Sequence, residues 1–159
     1  MKKRAALVLL CAGLGGCGFE PMYGPSLEPQ LAAIYVEPVA ERDGYELRNS
    51  LIDLLGSDGR TAGKRYHLTI TLNEASQGIA LQNNAAITRY NDTLKASYVL
   101  TDAAGKTVTQ GTQTSLSAYN VTPSPYSTLK GQQDADVRAA QDIAERIRLD
   151  LGAFFRRGH

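Results

Sequence analysis

Few residues in this chain are equipped for chemistry. Its two cysteines, Cys11 and Cys17, both fall in the first seventeen residues, and its two histidines, His67 and His159, stand far apart. Cys17 follows Leu14-Gly15-Gly16, and small residues at that place open the backbone to a processing enzyme. Cys11 follows Leu10, a bulky neighbour that suits cleavage badly. His67 sits between Tyr66 and Leu68 on the polar side of an alternating pattern, and His159 is terminal. Glu37, Glu41, Asp43 and Glu46 cluster where a helix should begin, a place where acids act as caps. Asp134, Asp136 and Asp142 share a helical segment and lack the loop spacing of a cation site. No phosphate-cradling glycine motif and no nucleophile–base pair stand out. The sequence therefore points away from an enzyme and implies neither cofactor nor metal.

The segment around Cys17 carries more. Lys2, Lys3 and Arg4 precede a short apolar run, Ala5–Ala12, and small residues lead to the cysteine. This is a secretory-signal layout. The run is too short for a spanning helix, which needs roughly 20 apolar residues. Leu14-Gly15-Gly16-Cys17 resembles a bacterial lipobox, in which the thiol is lipidated and the chain is cut before it. The expected organisation is a signal at 1–16, a lipidated cysteine with a proline-rich tether at 17–30, and one domain at 31–157. Several lipid chains exceed what stable anchoring requires. After cleavage no cysteine remains to form a disulfide within the domain. The remaining chain holds 14 Lys and Arg against 16 Asp and Glu. That balance supplies no basic field for nucleic acid.

These groups need a scaffold to position them. Pro21, Pro25 and Pro29 oppose helix and ladder formation before residue 31. Leu31–Val36 then reads as a short strand ending at Pro38. From Gly44, the spacing of Leu47, Leu51, Leu54 and Leu55 predicts a helix, with Gly56 and Gly59 able to stop it. Tyr66, Leu68, Ile70 and Leu72 alternate with polar residues across a strand at 64–76. A second strand at 85–101 places Tyr90, Leu94, Ala96, Tyr98 and Leu100 on one face. A hairpin turn at Asp102–Gly105 leads to a third strand at 106–118, rich in Thr, Gln and Ser. Its polarity predicts a face that is wet or meets a polar partner. After Thr122–Tyr126 breaks the sheet, Val137, Ala140, Ala144, Ile147, Leu151 and Phe154 predict a final helix. The fold class is α+β. Two helices pack on one face of a four-stranded sheet, in the order β-α-β-β-β-α.

Surface cations are the remaining candidates for binding. Arg60, Lys64 and Arg65 cluster at a turn, while Lys95, Lys106 and Lys130 are scattered. Most read as solubilising charge; some are placed to meet an acidic lipid head group. The start Cys17-Gly18-Phe19-Glu20-Pro21-Met22-Tyr23-Gly24 resembles that of the LPS-assembly lipoproteins of the LptE family, alphaproteobacterial members in particular. So do Thr88-Arg89-Tyr90, Ala96-Ser97-Tyr98 and Lys130-Gly131-Gln132-Gln133-Asp134-Ala135. The resemblance spans most of residues 17–155.

It implies an outer-membrane lipoprotein on the periplasmic side, without catalytic activity. It also implies a one-to-one complex with the lipopolysaccharide-export β-barrel of the LptD type, in which this chain is the plug and assembly partner. Lipopolysaccharide is a further implied ligand. A basic residue before the family's last helix falls on Lys130. A second position, basic in some members, falls near Asn83, where the charge is absent and Arg89 is the neighbouring cation. The rival reading is an auxiliary lipoprotein of a lipid-transporting ABC system, which would bind a transporter and no lipopolysaccharide.

Overall fold

The protein's structure, a computed structural model, describes residues 27–81 and 87–158. The described elements run α1 (Glu28–Ala32), β1 (Ile34–Val36), α2 (Glu41–Leu55), β2 (Tyr66–Leu81), β3 (Ile87–Asp102), β4 (Thr107–Asn120) and α3 (Pro125–Arg156). The strands form one sheet in the order β1-β2-β3-β4. β1 runs parallel to β2, and the other two pairs are antiparallel. Both long helices pack on one face of this sheet, as the two patterns of apolar spacing predict.

The structure departs from the sequence reading at residues 27–32. Leu31 and Ala32 lie in the one-turn helix α1, and the strand begins only at Ile34. Leu27 and Leu31, one turn apart, are both buried against the core. Pro29 stands in the first turn, where its missing N–H has no partner to lose. Proline density thus marks a helix start here.

β2 extends further than alternation predicts because its distal half carries no apolar stripe, while β3 keeps close to its expected span. The ladder continues regardless, from Tyr66↔Asp102 out to Leu81↔Ile87, with register shifts near Ala80. α3 likewise starts nine residues before Asp134. Ser124 caps it, its Oγ accepting from the Ser127 N–H at 3.4 Å. Tyr126 and Leu129 in its first turns are exposed, so helical periodicity has nothing to register there.

The core lies between the helices and the near half of the sheet. Leu47, Leu51 and Leu55 of α2 meet Leu68 and Ile70 of β2, Leu94 to Leu100 of β3, and Ile143, Ile147 and Leu151 of α3. Val137 and Phe154 are only half-buried; Ala139, Ile143 and Phe155 take the inner positions predicted for them. The buried stripe is therefore rotated slightly from the spacing that defined it.

A polar clasp fastens α3 to the sheet. The Tyr98 hydroxyl donates to Asp150 Oδ2 at 2.9 Å, and the Gln113 amide donates to the same oxygen. Burial, then the Asp150 hydrogen bond, pushes the Tyr98 hydroxyl well above its ordinary pKa. Tyr98 can cross β4 only because Gly111 has no side chain: a Cβ there would lie 2.6 Å from the hydroxyl oxygen.

Candidate functional site

Alternation divides the sheet into two faces of different chemistry. One is covered by α2 and α3. The other carries Thr69, Thr71 and Asn73 of β2, Lys95 and Ser97 of β3, and Gln110, Thr112 and Thr114 of β4. These residues are exposed, and no described helix covers them. Ser97 and Thr112 hydroxyls approach to 3.3 Å across the strands. This is the wet face expected from the polarity of the third long strand. Its one large apolar residue on β4 is Leu116, 66% exposed. β4 is also an edge strand of 14 residues, so it presents unpaired backbone groups to a partner.

The predicted binding residues occupy the far end of the molecule. Arg89, near the start of β3, donates from Nη1 to Asn120 Oδ1 at 3.2 Å. Its register partner is this same Asn120, which closes β4. Lys130 lies in the second turn of α3 and donates to Gln133 at 3.3 Å. The next residue, Gly131, faces Tyr119 of β4, which sets that turn beside the sheet end. Arg89 and Lys130 therefore share one end of the fold, with no contact between them. Asn83, with Asn84, lies outside the described residues, as does Cys17.

A groove of about 410 Å³ beside β4 is lined by Arg89, Ser115, Leu116, Arg138 and Asp142 among others. Arg138 was not singled out in the sequence because nothing in its local spacing sets it apart. Asp142 is bound by Arg146 at 3.0 Å, which with Ser115 holds its carboxyl below the usual range. Asp142 is thus committed locally, separate from Asp136.

Other candidates prove structural. His67 Nδ1 lies 2.9 Å from Glu37 Oε1, and its ring meets Tyr35 edge-on at 5.6 Å. Lys64 donates to the Ala32 carbonyl at 2.7 Å and pairs with Asp58 at 2.8 Å. Arg65 lies over the Tyr66 ring. Lys64 of the turn cluster is therefore spent on holding the start of β2 to the α1–β1 segment.

The profile of the LptE family, described as lipopolysaccharide-assembly, matches residues 31–151. The chain belongs to the LptE family. The match runs from the last residues of α1 through most of α3. Among solved structures, a putative lipoprotein from Caulobacter crescentus is similar, at 29% identity with a TM-score of 0.71, over 84% of this chain and 98% of that one. A minor lipoprotein from Acinetobacter baumannii shares the fold at 16% identity and a TM-score of 0.59, over 77% of this chain and 92% of that one. The rare lipoprotein B of Shewanella oneidensis shares it at 11% identity and a TM-score of 0.55, over 76% and 93%. Among curated protein sequences none matches the chain. Family membership makes this an LPS-assembly lipoprotein fold. Among the described residues no helix is long and apolar enough to cross a membrane.

Proposed function

We propose that this chain is held at the periplasmic side of the outer membrane by lipid on Cys17. There it acts as the plug and assembly partner of an LptD-type lipopolysaccharide-export β-barrel. The observation that carries this reading is the uncovered polar sheet face in a member of a lipopolysaccharide-assembly family. A barrel lumen is polar and wet. A plug within it needs a rigid interior and a surface of hydrogen-bonding groups, without a large apolar patch. The Thr, Gln and Ser residues of the open face supply such a surface.

Lys130, Arg89 and the Asn83 tip form the lipopolysaccharide-contacting end in this reading. Lys130 is exposed and accompanied by a neutral Gln133, so its charge is available to a phosphate or carboxylate. The chain performs no catalysis; it positions a barrel and a lipid.

The test is mild-detergent affinity purification of the lipidated full chain from its own envelope, with mass spectrometry of what accompanies it. A stoichiometric β-barrel of the lipopolysaccharide-export type is expected. A transporter complex, or no partner, overturns the plug reading.

A further inference from the structure

The helix-covered face changes character at the far half of the sheet. Three carboxylates from separate elements converge there: Asp43 in the first turn of α2, Glu74 of β2 and Asp136 of α3. One oxygen from each lies within 4.8 Å of the other two. A fourth carboxylate, Asp92 of β3, is only 3% exposed, and neither of its oxygens has a hydrogen-bond partner. A buried, unpartnered carboxylate is costly unless a cation compensates it.

Register shows where Asp92 is aimed. Asp92 pairs with Ser76, and Leu94 with Glu74, so Asp92 and Glu74 are diagonal neighbours on the face beneath the helices. The Asp92 charge acts on Asp43, Glu74 and Asp136 alike. Burial, reinforced by the neighbouring carboxylates, raises the pKa of Asp136 to about 6 and lifts those of Asp43 and Glu74. Arg42 opposes this at Asp43 and Asp136, yet it is exposed and forms no ion pair with any of the four among the described residues.

We infer that Asp43, Glu74, Asp92 and Asp136 form a site for a hard divalent cation of the calcium class, one that ties α2 and α3 to the far half of the sheet. The donor set is oxygen only, which favours calcium over zinc or copper. Three oxygens no more than 4.8 Å apart fit within a circle of radius at most about 2.8 Å. Calcium–oxygen distances are about 2.3–2.6 Å, so small rotations of the carboxylates close the shell. Asp92 supplies the fourth anionic ligand from below. This departs from the sequence reading, in which Asp134, Asp136 and Asp142 carry no cation site. Asp136 joins instead with residues 93, 62 and 44 positions earlier in the chain.

The stacked rings of Tyr90 and Tyr119, 5.5 Å apart, provide a probe. The Tyr119 hydroxyl feels Asp92, Asp136 and Glu74 directly. The experiment uses the lipidated full chain in nonionic detergent, stripped with EDTA. Terbium should give tyrosine-sensitised luminescence that calcium displaces. Calcium at about 1 mM, where extracellular calcium modules fill, should raise the melting temperature by several degrees above sodium chloride of equal ionic strength. Asp92→Asn should melt higher than the parent in EDTA and lose the calcium response. Asp136→Asn should weaken calcium binding about tenfold or more, since affinity follows ligand charge count. It serves as the test if Asp92→Asn fails to fold. An equal response to sodium, absence of terbium luminescence, or an undiminished calcium response in these variants overturns the site.

Discussion

The two halves of the covered sheet face are built from opposite materials. Near β1, Leu68, Ile70, Tyr98 and Leu100 lie under Leu47, Leu51, Ile147 and Leu151, most of them without solvent exposure. Beyond Leu72 and Leu94, the same strands and helices bring together Glu74, Asp92, Asp43 and Asp136, flanked by the Tyr90–Tyr119 stack. The first half is held by removal of apolar surface from water, a force that tolerates no voids. The second lacks that force and gathers like charges. It is also the end that carries Arg89 and Lys130. Rigidity and the proposed binding residues thus fall at opposite ends of one continuous sheet.

The largest effect is expected where the near half is cut. Ile147→Ala should cost about 2–4 kcal/mol in urea unfolding, because its side chain is wholly enclosed. Val137→Ala, one helix stripe further out and half-exposed, should cost less than half as much. Equal costs would erase the distinction between the halves. Next comes the clasp that fastens α3 to the sheet. Tyr98→Phe removes the donor to Asp150 and leaves Gln113 in place, for a loss of about 1 kcal/mol.

The far half should respond to pH where the near half does not. In EDTA, Asp136 is protonated in the folded state up to pH about 6, while the unfolded chain releases that proton near its ordinary value of 3.8. The folded state then binds more protons, so stability falls as pH rises from about 4 through 6. Asp43 and Glu74 act in the same direction. Asp58 and Asp142, held low by Lys64 and Arg146, contribute stability that is lost only below their ordinary value, outside this window. Melting across pH 4–7 checks this, and a flat or rising profile would contradict it. The smallest stability effect belongs to Lys130→Glu. Its melting temperature should match the parent, while affinity for lipopolysaccharide falls; unchanged affinity removes Lys130 from the binding end.

Much of the near half was legible in sequence. The period-two pattern of Tyr66 to Leu72 and the helical stripe of Leu47, Leu51 and Leu55 each predict a buried face, because burial selects apolar residues at the period of the element. The far half was less so. Glu74 continues the inward register of Leu68, Ile70 and Leu72, and Asp92 interrupts that of Tyr90 and Leu94. A carboxylate at an inward position is itself a signal, but a strand pattern ends where its apolar residues end. The helical start of α3 before Asp134 was hidden for the same reason.

The sequence by itself determined the four strands and two long helices, their order β-α-β-β-β-α, most of their buried faces and the family resemblance, since these rest on local spacing and short motifs. Only the tertiary structure decided that α1 replaces the start of the first strand, that Arg89 shares a groove with Arg138, and that Asp43, Glu74, Asp92 and Asp136 meet. Those arrangements join residues tens of positions apart, and they follow from how packed layers align, which no single stretch of chain encodes.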